Sequence, residues 1–214
     1  MRLTNANPSG YSGRMTTAPT ATRAGGGRRE QILAVAAQLF AQRGFHGVSI
    51  ADLGAAVGVS GPALYRHFPG KEALLAELLV GISEHLLAGG RQIAASTPDP
   101  ARALAALVEF QADFAGREPE LIVVQDRDLA NLPEPAQRRV RRLQRTYVEI
   151  WVDTLQRVHP GLSDTTARVA AHGAFGLLNS TPHSGRSPQA AALLRRLALA
   201  ALHSITEPAS AQPR

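Results

Sequence analysis

The 214-residue chain contains no cysteine, one tryptophan, two methionines and a single lysine, Lys71. Without cysteine there is no disulfide framework, no thiolate metal site and no cysteine nucleophile. Aromatic residues make up only 5%. No apolar stretch approaches the ~20 residues a membrane helix needs. The N-terminus lacks the apolar run of a secretory signal, so a cytoplasmic location with no membrane partner is expected. No strand pattern, phosphate-cradling glycine loop or G-x-S-x-G elbow is present. His46, His67, His85, His159, His172, His183 and His203 show no metal-ligand spacing. These absences argue against an enzyme, a cofactor or a metal centre.

The charge that is there leans modestly basic. Lys+Arg number 23 against 17 Asp+Glu, with a sequence pI near 10.9, which favours an acidic partner. Nearly all of the basic residues are arginine, whose planar fork bonds phosphate and carboxylate alike. An arginine- and alanine-rich composition also follows from GC-rich coding. The first 27 residues mix Pro, Gly, Ser and Thr, with no acid before Glu30. They are expected to be disordered, serving either as a basic arm along DNA or as an inert leader.

Residues 49–71 read S-I-A-D-L-G-A-A-V-G-V-S-G-P-A-L-Y-R-H-F-P-G-K, and the spacing predicts two short helices around a tight turn. Ser49 and Asp52 form a capping box. Ile50, Leu53 and Val57 share one face, and Gly58 ends the helix. Ser60 caps the second helix, with Pro62 in its first turn. Leu64 and Phe68 then face inward, leaving Gly61, Pro62, Ala63, Tyr65, Arg66 and His67 outside. A small, then aromatic and basic face suits a helix entering a DNA major groove. A surface helical hairpin with ordinary polar residues fits the spacing equally well.

The run G-V-S-G-P-A-L-Y-R-H-F-P-G-K-E-A-L-L closely resembles the DNA-binding signature of TetR-family transcriptional repressors. Gly58, Val59, Ser60, Ala63, Leu64, Tyr65, His67, Phe68, Lys71 and Leu74 stand where that pattern puts them. Gly70 departs from it, since Ser or Thr is common there. The resemblance is specific over residues 28–80 and one of general plan beyond. It implies double-stranded operator DNA as partner, with Ser49, Ser60, Gly61, Pro62, Ala63, Tyr65, Arg66, His67 and Lys71 as candidate contacts.

The expected fold is all-α with about nine helices. Its parts are an arm at 1–27, a helix-turn-helix domain at 28–74, a ligand-binding and dimerisation domain at 75–206, and a frayed tail at 207–214. The first helix spans 28–42. A lever helix runs from Lys71 to a stop at Gly89 and Gly90. Others follow at 100–116, 119–129, 136–158, 164–178 and 190–204, with a polar loop at 179–188. His46 reads as an exposed loop residue.

The last two long helices carry more apolar surface than one packing face needs, which suits a homodimer through a four-helix bundle. Phe110, Phe114, Tyr147, Trp151, His172, Phe175 and Asn179 are candidate walls of an effector pocket, with Gln125, Asp126 and Arg127 supplying polarity. Arg138, Arg142 and Arg145 lie on one stripe, able to grip an anionic ligand such as an acyl-CoA or simply to face solvent. The function expected is a repressor that binds a palindromic operator and is released by a small apolar effector, an acyl-CoA being one candidate. An architectural DNA-binding protein without effector is the alternative.

Overall fold

The computed structural model describes residues 27–184 and 187–206; all but the last residue of the expected arm at 1–27, and the tail at 207–214, lie outside the described residues. Among these residues there is no strand. The order is α1 Arg28–Arg43, α2 Ile50–Val57, α3 Gly61–Tyr65, α4 Lys71–Ser96, α5 Pro100–Arg117 and α6 Pro119–Asp128, followed by a 3-10 turn Leu129–Asn131. Then come α7 Glu134–Val158, α8 Asp164–Leu178, α9 Thr181–Ser184 and α10 Pro188–His203. The single turn α9 falls in the segment expected to be a polar loop.

Helix α1 buries Ile32, Ala36, Ala37 and Phe40 on one face and stops at Gly44, whose φ of 75° suits glycine alone. Those side chains share one buried cluster with Leu53, Leu64 and Phe68, so α1 to α3 form a small unit closed by the first turns of α4. Leu74, Leu75, Leu78 and Leu79 of α4 belong to that unit, while Ile82, Leu86 and Leu87 continue into the larger bundle. The core is continuous from Ile32 to Leu202, and α4 is the spine common to both halves.

Helix α4 does not stop at Gly89 and Gly90 but runs through them to Ser96. Both glycines are places of close approach. A Cβ on Gly89 would stand 2.1 Å from Phe110 Cζ, and one on Gly90 2.7 Å from Tyr147 Cε2. The same helix is long and apolar enough, by length and composition alone, to cross a membrane, contrary to the reading of the sequence. Its leucines are spent on the core just described, so core packing accounts for its apolar character.

Helices α8 and α10 pack on each other and on the bundle. Val169 on α8 and Leu193 and Leu197 on α10 remain 67%, 52% and 46% exposed.

Candidate DNA-recognition element and effector cavity

The turn between α2 and α3 is built by its caps. Ser49 Oγ accepts from the Asp52 N–H at 3.1 Å, and Asp52 Oδ2 accepts from the Ser49 N–H at 2.8 Å and its hydroxyl at 2.5 Å. The Ser49 hydroxyl is therefore committed to its own helix, which removes it as a free donor for phosphate. That hydroxyl, then the Ser49 N–H, then nearby Arg43, hold the Asp52 carboxyl below the usual carboxylate range. Ser60 Oγ accepts from the Ala63 N–H at 3.4 Å. Gly54, inside α2, carries no local turn signal, yet a Cβ there would lie 2.7 Å from the Val59 carbonyl oxygen, so it lets the turn fold back on α2.

Leu64 and Phe68 are buried, and Tyr65 is 53% exposed between exposed Pro62 and Arg66. Gly61, Ala63 and His67 are half-buried. A five-residue helix is not stable alone, and Arg29 braces it. One Arg29 nitrogen donates to the His67 carbonyl at 2.5 Å, another to Glu77 of α4 at 2.8 Å, and the guanidinium lies 4.2 Å from the Phe68 ring centroid.

Lys71 departs from its expected role. Its Nζ donates to the carbonyls of Phe45 at 3.1 Å and Val48 at 3.2 Å and sits 4.4 Å from the Phe45 ring centroid. The ammonium satisfies two loop carbonyls that have no helical partner, so it ties the α1–α2 loop to α4 instead of reaching outward.

A cavity of about 360 Å³ lies among α4 to α8. Tyr147, His172, Phe175 and Asn179 line it as expected, with Gln125 and Asp126 on one wall. Gln111 links the expected residues: it accepts from the Tyr147 hydroxyl at 3.1 Å and donates to Asn179 Oδ1 at 2.9 Å. Burial pushes the Tyr147 pKa well above the ordinary phenol value, so the hydroxyl remains a neutral donor. Burial likewise raises the Asp126 carboxyl, partly countered by His183. Trp151 is fully buried behind the wall, 4.8 Å from Phe175 and 6.3 Å from Tyr147 between ring centroids. It backs two lining residues without lining the cavity itself.

Four other expected residues lie elsewhere. Phe110 covers Gly89 and stacks near His85 at 5.6 Å. Phe114 lines a separate groove against α1 with Leu33, Leu78 and Leu121. Arg142 is exposed and borders neither hollow; Arg127 points the other way. The Arg138 guanidinium is taken by Glu134 and that of Arg139 by Glu84. Helical spacing put all of these on plausible faces; which neighbour each face meets is set by tertiary packing.

A second hollow of about 380 Å³ is bordered by Arg141, Arg145 and Arg168, and shares Gln144, Val148 and His172 with the cavity. Arg168 forks onto Glu149 at 2.7 and 2.9 Å and reaches Asp164 at 3.2 Å, holding the Glu149 carboxyl below its ordinary range.

Arg127 joins the two halves. Its guanidinium donates to the carbonyls of Phe40 and, at 3.2 Å, Ala41, and pairs with Asp128 at 3.0 Å. These carbonyls end α1, where a cation is favoured by both hydrogen bonding and the helix dipole. Asp128, 3% exposed, accepts from the Phe45 N–H at 3.5 Å and from Asn131 at 3.4 Å. Asn131 Oδ1 lies 2.9 Å from His46 Nε2, so His46, exposed in its loop as expected, is also a contact between the halves. On the same stretch Gln125, Asp126 and Leu129 border the cavity.

A capped helix-turn-helix with an exposed aromatic–basic helix, joined to a helical domain with a cavity, defines a DNA-binding transcriptional regulator. Residues 32–78 match the model described as bacterial regulatory proteins, tetR family, and residues 97–183 the tetracyclin repressor-like C-terminal domain. The chain belongs to the TetR family of transcriptional regulators. The HTH-type transcriptional repressor KstR2 of Mycolicibacterium smegmatis is 30% identical over 146 residues, 66% of this chain and 68% of that protein. KstR2 of Mycobacterium tuberculosis is 31% identical over 131 residues, 60% of this chain, and the match spans only 64% of that relative's length. The structure of ketosteroid transcriptional regulator KstR2 from the latter organism superposes with a TM-score of 0.73 at 25% identity, covering 86% of this chain and 97% of that one. AibR, solved in complex with isovaleryl coenzyme A and operator DNA, shares the fold with a TM-score of 0.68 at 19% identity, covering 80% and 97%.

Proposed function

We propose that the protein is an effector-responsive repressor that acts as a homodimer on a palindromic operator. The carrying observation is the position of residues 125–131. Gln125, Asp126 and Leu129 border the cavity, while Arg127, Asp128 and Asn131 hold the end of α1 and the α1–α2 loop. A ligand that shifts this stretch moves the recognition unit with it. Lys71 ties the same loop to α4, so α4 follows, and the two recognition helices lose the ~34–36 Å spacing of successive major grooves.

In this reading residues 28–74 bind DNA and 75–206 bind effector and partner. Pro62, Tyr65 and Arg66 face the groove at the tip, with Ser60, Gly61, Ala63 and His67 close behind. The dimer forms through the exposed apolar residues Val169, Leu193 and Leu197 of α8 and α10, because one short helix covers only half an operator. The protein acts beside the chromosome, in the cytoplasm. The effector is an apolar small molecule seated against Tyr147 and Phe175. An acyl-CoA is the class we favour, a ligand that the same fold holds in AibR.

Titration against the protein's own promoter and random DNA, at several salt concentrations, tests the DNA side of this reading. Specific binding with loss on adding acyl-CoA is expected; equal affinity for both DNAs would favour the architectural alternative.

A further inference from the structure

We infer that the arginine-bordered hollow beside the cavity is a head-group site for phosphate, engaged by a ligand whose apolar end fills the cavity. The inference rests on the effector reading above. The two hollows share Gln144, Val148 and His172, so one molecule can occupy both. Their chemistries differ. The cavity sets the apolar faces of Leu86, Leu129, Tyr147 and Phe175 beside uncharged amides and the Asp126 carboxyl, with no arginine, whereas the second hollow is bordered by three guanidiniums and no carboxylate.

Arg141 and Arg145 lie one turn apart on α7, both are exposed, and neither makes an ion pair among the described residues. Like charges at this spacing repel and destabilise a helix, a cost that a bound dianion would remove. Two guanidinium forks on one edge also match the several oxygens of a phosphate group better than the single carboxylate of a fatty acid. Arg168 differs, being held by Glu149 and Asp164. It contributes positive field and closes the α7–α8 edge without offering a free fork. The site thus lies one residue off the stripe that spacing suggests: Arg138 is occupied and Arg142 faces away, while Arg141 takes their place beside Arg145.

The test compares octanoyl-CoA, S-octanoylpantetheine and octanoate, which share an apolar end and differ in the head. Binding is read from the fluorescence of Trp151, the only indole in the chain. For the unaltered protein octanoyl-CoA should bind most tightly and lose affinity as salt is added. In an Arg141→Ala/Arg145→Ala variant its Kd should rise about tenfold per arginine, equal to about 1.4 kcal/mol each. S-octanoylpantetheine should be unaffected, and Arg142→Ala should change nothing. Equal binding of octanoyl-CoA and the pantetheine ester, or an unaltered Kd in the double variant, overturns the head-group site and leaves the effector cavity standing. Failure of all three ligands to bind overturns both.

Discussion

Gly90→Ala and Gly81→Ala make the same chemical change on the same helix and should move stability in opposite directions. In a helix interior, replacing Gly by Ala contributes about 1 kcal/mol of favourable backbone propensity. At Gly81 nothing lies within 4 Å of the added methyl group, so that gain should be realised. At Gly90 the methyl carbon would meet Tyr147 Cε2 at 2.7 Å, Tyr147 Cδ2 at 3.0 Å and Ile150 Cδ1 at 3.3 Å. The Tyr147 ring has no easy retreat, because its hydroxyl is bonded to Gln111 and its face is stacked 5.7 Å from Phe175. Overpacking of this kind costs about 1–3 kcal/mol, giving a net loss of about 0–2 kcal/mol against a gain of about 1 at Gly81. For a chain of this size each kcal/mol corresponds to about 2–4 °C in Tm. Thermal unfolding followed by helical circular dichroism, at one fixed protein concentration, should separate the two variants by several degrees. Equal stabilisation by both substitutions would refute the seating of Tyr147 against α4.

Tyr65→Ala should abolish specific operator binding and leave helical content and oligomeric state unchanged, as read by gel shift, circular dichroism and light scattering; unchanged affinity would remove Tyr65 from the DNA contacts. Lys71→Ala should lower stability by about 1–3 kcal/mol through two lost charge-assisted hydrogen bonds, while the salt slope of binding to random DNA stays constant; a slope reduced by about one would restore Lys71 as a phosphate contact. Ser49→Ala should destabilise the fold by about 0.5–2 kcal/mol and raise the Asp52 pKa, followed by NMR titration. Because folding depresses that pKa, the Asp52 contribution is present above the unfolded value of about 3.9 and is lost as pH falls through the lower folded value. An Asp52 titration unmoved by Ser49→Ala would mean that the capping box does not set it.

Local signals in the sequence carried the recognition element. Ser49, Asp52, Gly58, Ser60 and Pro62 act within three or four residues, so their spacing states their partners and the structure shows those caps. Gly89 and Gly90 show where this logic ends. Beside a long helical pattern a glycine pair reads as a stop, and only the arrival of Phe110 and Tyr147 from distant helices explains why it is a crossing point. The cavity was half legible for the same reason. Tyr147, His172, Phe175 and Asn179 were on the right faces, but Phe114 shares their apolar character and packs elsewhere. Arg127, read as pocket polarity, ends α1 at Phe40 and Ala41, a contact across more than eighty residues. No periodicity within one helix could reveal it.

The central claim is that the cavity and the recognition element are coupled through the Arg127–Asp128–Asn131 contacts. Arg127→Lys keeps the charge beside buried Asp128 but cannot fork onto both α1 carbonyls, so it tests the coupling with the least risk to the fold. The measurement is operator affinity with and without saturating octanoyl-CoA, together with octanoyl-CoA affinity with and without operator. Both differences must be the same factor in each protein, since coupling is reciprocal. The account predicts weakening of about 5–150-fold in the unaltered protein, and a much smaller factor in Arg127→Lys with each single affinity nearly retained. An unaltered coupling factor in the variant would contradict it.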